Sequence, residues 1–161
     1  MHEAAAGVRA PVNPPGIDLR GFIGTWHLLP ALCRYAFGKP PASGRYVIEW
    51  LADGALSLTS EWMGAYGHRH GLHFIGPVDG RPHPLSGSRI ADAIRLDYVS
   101  PRRLDSTAFR HGYEVMRAER SLIEADRLRI AVHGRRADGE PYTNVDEYRR
   151  DPRAAAGIIR G

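Results

Sequence analysis

Residues 45–62, RYVIEWLADGALSLTSEW, read as two strands and the reversal between them. Tyr46, Ile48 and Trp50 alternate with Arg45 and Glu49, while Leu56, Leu58 and Trp62 fall on one face beyond Asp53-Gly54. Alternation at period two marks a strand with one buried face, and Asp-Gly supplies the positive φ that a tight hairpin requires. One hairpin of this kind cannot bury its apolar face alone, so the rest of the chain must supply the other side.

It does so with more of the same. Strands are predicted over 22–29 (FIGTWHLL), 69–75 (RHGLHFI), 89–99 (RIADAIRLDYV), 104–110 (LDSTAFR), 113–123 (YEVMRAERSLI), 127–133 (RLRIAVH) and 144–150 (NVDEYRR). Reversals are marked by Asp79-Gly80, His111-Gly112, Ala125-Asp126 and Asp138-Gly139. No interior helical period competes with these. A long antiparallel meander hides its edges by closing on itself, which predicts an all-β fold: a single antiparallel up-and-down β-barrel of about eight to ten strands. The one long early connection, Pro30 to Ser43, is predicted to lie over one mouth as a flap, with a helical turn around Leu32–Phe37. Residues 1–20, with Pro11, Pro14 and Pro15, read as a loose N-terminal arm. The barrel occupies 21–150, and 151–161 reads as a C-terminal tail.

Composition narrows the class. A chain of 161 residues with 43% hydrophobic and 25% charged residues is one globular domain with a real core. No apolar run approaches bilayer length, and the N-terminus has no apolar signal core, so a cytoplasmic protein without a membrane partner is expected. The single Cys33 has no internal disulfide partner and no local base to make it a thiolate; it is expected to be a packed thiol. Net charge is +4, carried almost wholly by arginine, Lys39 being the only lysine. The arginines are scattered among Asp and Glu rather than gathered in a stripe, so no nucleic-acid partner is expected.

Sorting each strand by parity separates two faces. One carries Arg95, Asp97, Arg117, Glu119, Arg127 and Arg129. The other carries the hairpin's apolar residues with His70/Leu72/Phe74, Ile90/Asp92/Ile94/Leu96/Tyr98, Met116/Ala118/Arg120/Leu122 and Leu128/Ile130/Val132, and is placed inward. His70, Asp92 and Arg120 are thus ionisable groups on an apolar face, joined by Tyr148 on the last strand. A buried charge costs several kcal/mol unless paired, so Asp92 and Arg120 are expected to pair, with Tyr148 or His70 satisfying remaining atoms.

The chain also carries a resemblance. Gly24-Thr25-Trp26 on the first strand looks like the Gly-x-Trp signature of lipocalins and the wider calycin group. The run from His73 to Arg150, with its Asp-Gly turns, Ala91-Asp92, Arg120 late in a long strand and terminal Tyr148, resembles small bacterial lipocalin-like domain proteins. The resemblance spans about residues 21 to 150. It implies a barrel with a ligand cavity, and it offers a second role for Arg120, since an arginine commonly packs against the signature Trp at the closed end of such barrels.

The expected function is binding of a small hydrophobic or amphipathic molecule, anionic where Arg120 meets it by charge-assisted hydrogen bonds. Tyr46, Trp50, Trp62, Phe74, Tyr98 and Met116 are the expected walls, with Tyr148 beside Arg120. The alternative is a cofactor-independent isomerase or cyclase in the same cavity, with His70 or Asp92 as general acid or base and Arg120 steadying an oxyanion. Haem binding in the manner of nitrobindin barrels is a third reading; the glycine-rich first-strand motif of that family is only partly present. No nucleophile elbow points to a hydrolase. Four of the eight histidines, His68, His70, His73 and His83, crowd one hairpin. On a regular strand His73 faces away from His68 and His70, so neither a metal site nor any other cofactor is expected there. Sequence leaves the oligomeric state open.

Overall fold

A computed structural model describes residues 14–153. The strands are β1 (Gly24–Leu28), β2 (Arg34–Tyr35), β3 (Ser43–Trp50), β4 (Leu56–Met63), β5 (Arg69–Gly76), β6 (Pro82–Pro84), β7 (Ala93–Ser100), β8 (Arg103–Arg110), β9 (Tyr113–Glu124), β10 (Arg127–Arg135) and β11 (Pro141–Arg150). They form one antiparallel sheet in the order β5-β4-β3-β1-β11-β10-β9-β8-β7-β6. Pairing of β1 with β11 brings the two ends of the meander together, giving a nearly closed up-and-down barrel. The arm over 1–13 and the tail over 154–161 lie outside the described residues; Leu19, just before β1, is fully buried.

The founding hairpin forms as its residues require. Tyr46 sits opposite Ser60 and Trp50 opposite Leu56. In the turn, Gly54 takes φ +86° and Asp53 Oδ1 accepts the Ala55 N–H at 3.0 Å. The seam between β5 and β6 stays unpaired, and β6 protects its edge with prolines at 82 and 84, which cannot extend a ladder. Just before β6, the Gly80 N–H reaches the Leu96 carbonyl of β7 at 3.0 Å, which prolongs the β6–β7 pairing without bridging the seam.

Two strands were not expected from the sequence. β6 is three residues long, and β2 lies inside the long connection after β1. There the chain leaves the ladder in a 3-10 turn at Pro30–Leu32 and resumes beside β11, with Tyr35 opposite Asn144. Asn144 fastens the segment further, accepting the Ala36 and Phe37 N–H groups and donating to the Phe37 carbonyl.

The two ends of the barrel differ. Around the 3-10 turn Arg20–Phe22, Phe22, Trp26, Ile48, Leu56, Leu104 and Leu128 are fully buried, which makes a closed end. At the opposite end the inward positions Trp62, Met116, Ala118, Val132 and Asn144 remain half-buried, so that mouth admits solvent. Among the described residues no helix is long and apolar enough to cross a membrane.

Candidate functional site

Arg120 leaves β9 and crosses the interior. Its side chain is held by neutral groups only: Nε donates to the Tyr46 hydroxyl at 2.9 Å and Nη1 to Ser106 Oγ at 2.8 Å. The guanidinium carbon stands 5.8 Å from the centre of the Tyr46 ring, which also meets Tyr148 edge-on at 5.9 Å. Arg120 is 8% exposed, and no carboxylate among the described residues forms an ion pair with it. The pairing of Arg120 with Asp92 expected from the sequence does not form.

Asp92 is the reason. The strand begins at Ala93, one residue after it, because Ser88 Oγ draws the amides of Ile90 and Ala91 into a turn. Asp92 consequently sits at the mouth, where it accepts the His111 N–H at 3.0 Å. His111 and Gly112 both have positive φ, +52° and +84°, so the carboxylate steadies a tight turn between β8 and β9. Ile90, placed inward with Asp92 by parity, is 63% exposed.

The residue that covers Trp26 also differs from the one expected. Arg150, the last residue of β11, stacks on Trp26 at 4.3 Å and donates to the carbonyls of Ile23, Gly21 and Ala125. Trp26, fully buried, donates its indole N–H to the Phe22 carbonyl at 3.0 Å. Burial near the closed end is therefore correct for Trp26, and the arginine stacked on it is Arg150, not Arg120.

The expected wall residues divide by height. Trp50 and Phe74 are buried in the closed-end core, and the Trp50 indole N–H has no protein partner among the described residues. Tyr46 and Tyr148 lie at the level of Arg120, and Tyr98, which shares a cross-strand row with Leu104 and Arg120, is half-buried there. Trp62 and Met116 belong to the mouth. His70 is exposed and stacks on Trp62 with ring centres 5.5 Å apart.

The other histidines part company. β5 runs in register with β4 without a bulge at Gly71, so His73 faces outward and bonds Thr59 Oγ1 at 2.7 Å. His83 bonds Asp79, and His68 belongs to the β4–β5 turn. Among the described residues no group of three or more His, Cys, Asp or Glu side chains is placed to hold a metal ion.

One inward carboxyl was missed. Asp146 stands in the same cross-strand row as Arg120, with Ile130 between them. Its Oδ1 accepts the Tyr35 hydroxyl at 2.8 Å. Burial pushes its carboxyl above its ordinary value, against the hydrogen bond from Tyr35 that favours the charged form. Burial likewise raises the Tyr35 phenol and pushes the Cys33 thiol up to about 11, which keeps Cys33 a thiol at neutral pH. The sequence holds the signal: Tyr148 reads as inward, and parity carries that placement to Asp146 and Arg150.

Two clefts open at the mouth. Each is lined from both faces of the barrel wall: one, of about 880 Å³, by Met116, Ile90 and Tyr142 together with the outward Arg117 and His133; the other, of about 530 Å³, by Gly44, Trp62 and His70 together with the outward His27, Arg45 and Glu61. Arg120 lines neither and lies deeper in the barrel.

No protein-family model and no curated protein matches the chain. Among solved structures it is similar to the wild-type fluorescent protein UnaG, with 15% identity, a TM-score of 0.58, and coverage of 83% of this chain and 99% of that one. It is also similar to EF1p2_mFAP2b bound to DFHBI, with 8% identity, a TM-score of 0.51, and coverage of 82% and 95%. At such identities the likeness carries the fold alone, a nearly closed antiparallel up-and-down barrel.

Proposed function

We propose that the barrel binds a small amphipathic anion, with the apolar body among Trp62, Met116 and Tyr98 and the anionic group against Arg120. Binding of small hydrophobic molecules is what barrels of this kind support in general; the anionic preference rests on one observation. Arg120 is a buried cation whose hydrogen-bond partners, Tyr46 and Ser106, are neutral. A guanidinium in that setting gains most from an incoming oxyanion, because the desolvation has already been met by the fold.

The test is Arg120→Met, which keeps most of the side-chain volume and removes the charge. Fluorescence titrations with anilinonaphthalene sulfonate and cis-parinaric acid should lose affinity tenfold or more, as expected for a charge-assisted hydrogen bond worth about 1.5–3 kcal/mol. Nile red, a neutral probe, should bind as before. Equal weakening for all three probes would refute the anion-binding role.

A second reading, acid–base isomerisation in the same cavity, is favoured by Asp146 more than by His70 or Asp92. It is inward, in the row of Arg120, and its carboxyl is raised by burial toward the range of a general acid. Asp92 and His70 lie at the mouth, away from Arg120.

A further inference from the structure

We propose that the open mouth docks on the surface of an anionic phospholipid bilayer, independently of what the cavity holds. Four of the five turns at this end each present a large apolar side chain to solvent: Phe37 at 46% exposure, Tyr66 at 80%, Ile90 at 63% and Tyr113, the first residue of β9, at 77%. They come from four separate connections, so they form a ring and not one hydrophobic slip of the chain. Single exposed apolar residues are ordinary; four gathered on one rim mark an interaction surface.

The charges on the same rim select the partner. Lys39, Arg69, Arg89, Arg110, Arg135 and Arg136 are exposed there, against Asp92, Glu114, Asp138 and Glu140. Among the described residues every arginine–carboxylate ion pair lies on the barrel wall or at the closed end, as in Arg103–Asp105, Arg127–Glu147 and Arg153–Asp151. The rim cations are engaged otherwise. Arg136 stacks over Phe37 at 4.9 Å, Lys39 stands over Tyr66 at 5.5 Å, and Arg135 donates to the Gly139 carbonyl. Two of the rim carboxylates are occupied with backbone amides of their own turns, Asp92 with His111 and Asp138 with Glu140. Cations without carboxylate partners, interleaved with Tyr, Phe and Ile on a ring of turns, match a lipid interface: the apolar tips enter the headgroup layer and the guanidinium groups meet phosphates. A nucleic acid would use the cations and stack bases on the aromatics but would gain nothing from Ile90, and the vesicle measurements separate the two.

Vesicle cosedimentation of the full chain decides it. Equimolar phosphatidylcholine–phosphatidylglycerol vesicles should bind the protein at low salt and release it as salt is raised, and pure phosphatidylcholine vesicles should bind it far less. Arg69→Gln with Arg89→Gln should weaken partitioning about 25-fold, at about fivefold per basic residue. Tyr66→Ser with Ile90→Ser and Tyr113→Ser should also weaken it, while leaving retention on a heparin column unchanged. All five substitutions are at exposed positions, and unchanged melting temperatures would show that the barrel is intact. Equal binding to neutral and anionic vesicles, no binding to either, or indifference to the apolar substitutions would each overturn the proposal, the last by reducing the rim to a simple polyanion site.

Discussion

Arg150→Met tests the assignment of the latch. In the folded protein the guanidinium lies 4.3 Å over the Trp26 ring and donates to three carbonyls, those of Ile23, Gly21 and Ala125. Methionine preserves an apolar cover for the indole and removes the charge and the donors. A cation–π contact at a half-buried site contributes about 1 kcal/mol. The hydrogen bonds to Gly21 and Ala125 are exposed, and water replaces them at little cost; the part-buried bond to Ile23 contributes about 2 kcal/mol. The expected loss is therefore about 3 kcal/mol. With an unfolding entropy of about 2.1 cal/mol/K for each of roughly 140 ordered residues, the melting temperature should fall by about 10 °C. Thermal melts followed by circular dichroism measure this, and probe titrations on the same protein should show unchanged preference for anions over neutral ligands. A melting temperature within about 2 °C of wild type would refute the latch. A shift in ligand preference would show that Arg150, not Arg120, governs binding.

Two further outcomes follow from the interior. Trp26→Ala empties the closed end and should cost about 3–5 kcal/mol without altering probe selectivity, measured by denaturant melts and the same titrations; an unchanged denaturation midpoint would contradict its place in the core. Asp146 has a folded carboxyl raised above its unfolded value, so its contribution to stability is greatest in acid, below the unfolded range near about 3.9, and is lost as pH rises through the folded value. Asp146→Asn, which keeps an acceptor for the Tyr35 hydroxyl, should thus raise the melting temperature at pH 7 and lose that advantage at about pH 3; an equal gain at both, or a loss at pH 7, would show that burial does not dominate at this site.

The contrast between these residues shows where sequence reading succeeds. The hairpin at 45–62 was legible because alternation and Asp-Gly act locally, over the few residues whose pattern they explain. Closure was legible because a meander of that length has two edges to hide. β2 was not, since its two residues pair only after a 3-10 turn has carried the chain out of the ladder and back, a detour set by β11 and Asn144 rather than by its own pattern. β6, held by three register pairs to β7, is likewise a product of its neighbour.

The errors at the site have a shared physical origin. Parity is a relative quantity: it sorts residues only within an unbroken strand, so it fails at Asp92, which precedes the strand, and holds along β11, where Tyr148, Asp146 and Arg150 share a face. Applied there, it predicts an acid in the interior and a cation at the closed end, both of which the fold contains. What parity cannot supply is height. Arg120 and Arg150 both face inward, and only the pairing of β1 with β11, which sets Trp26 opposite Arg150, decides which of them covers the tryptophan. Once Arg150 has that role, Arg120 is left as a buried cation in mid-barrel among hydroxyls. The anion-binding proposal therefore stands on the division of labour between the two arginines: if Arg150→Met leaves the closed end undisturbed, Arg120 loses its claim to be the cation that the fold does not itself use.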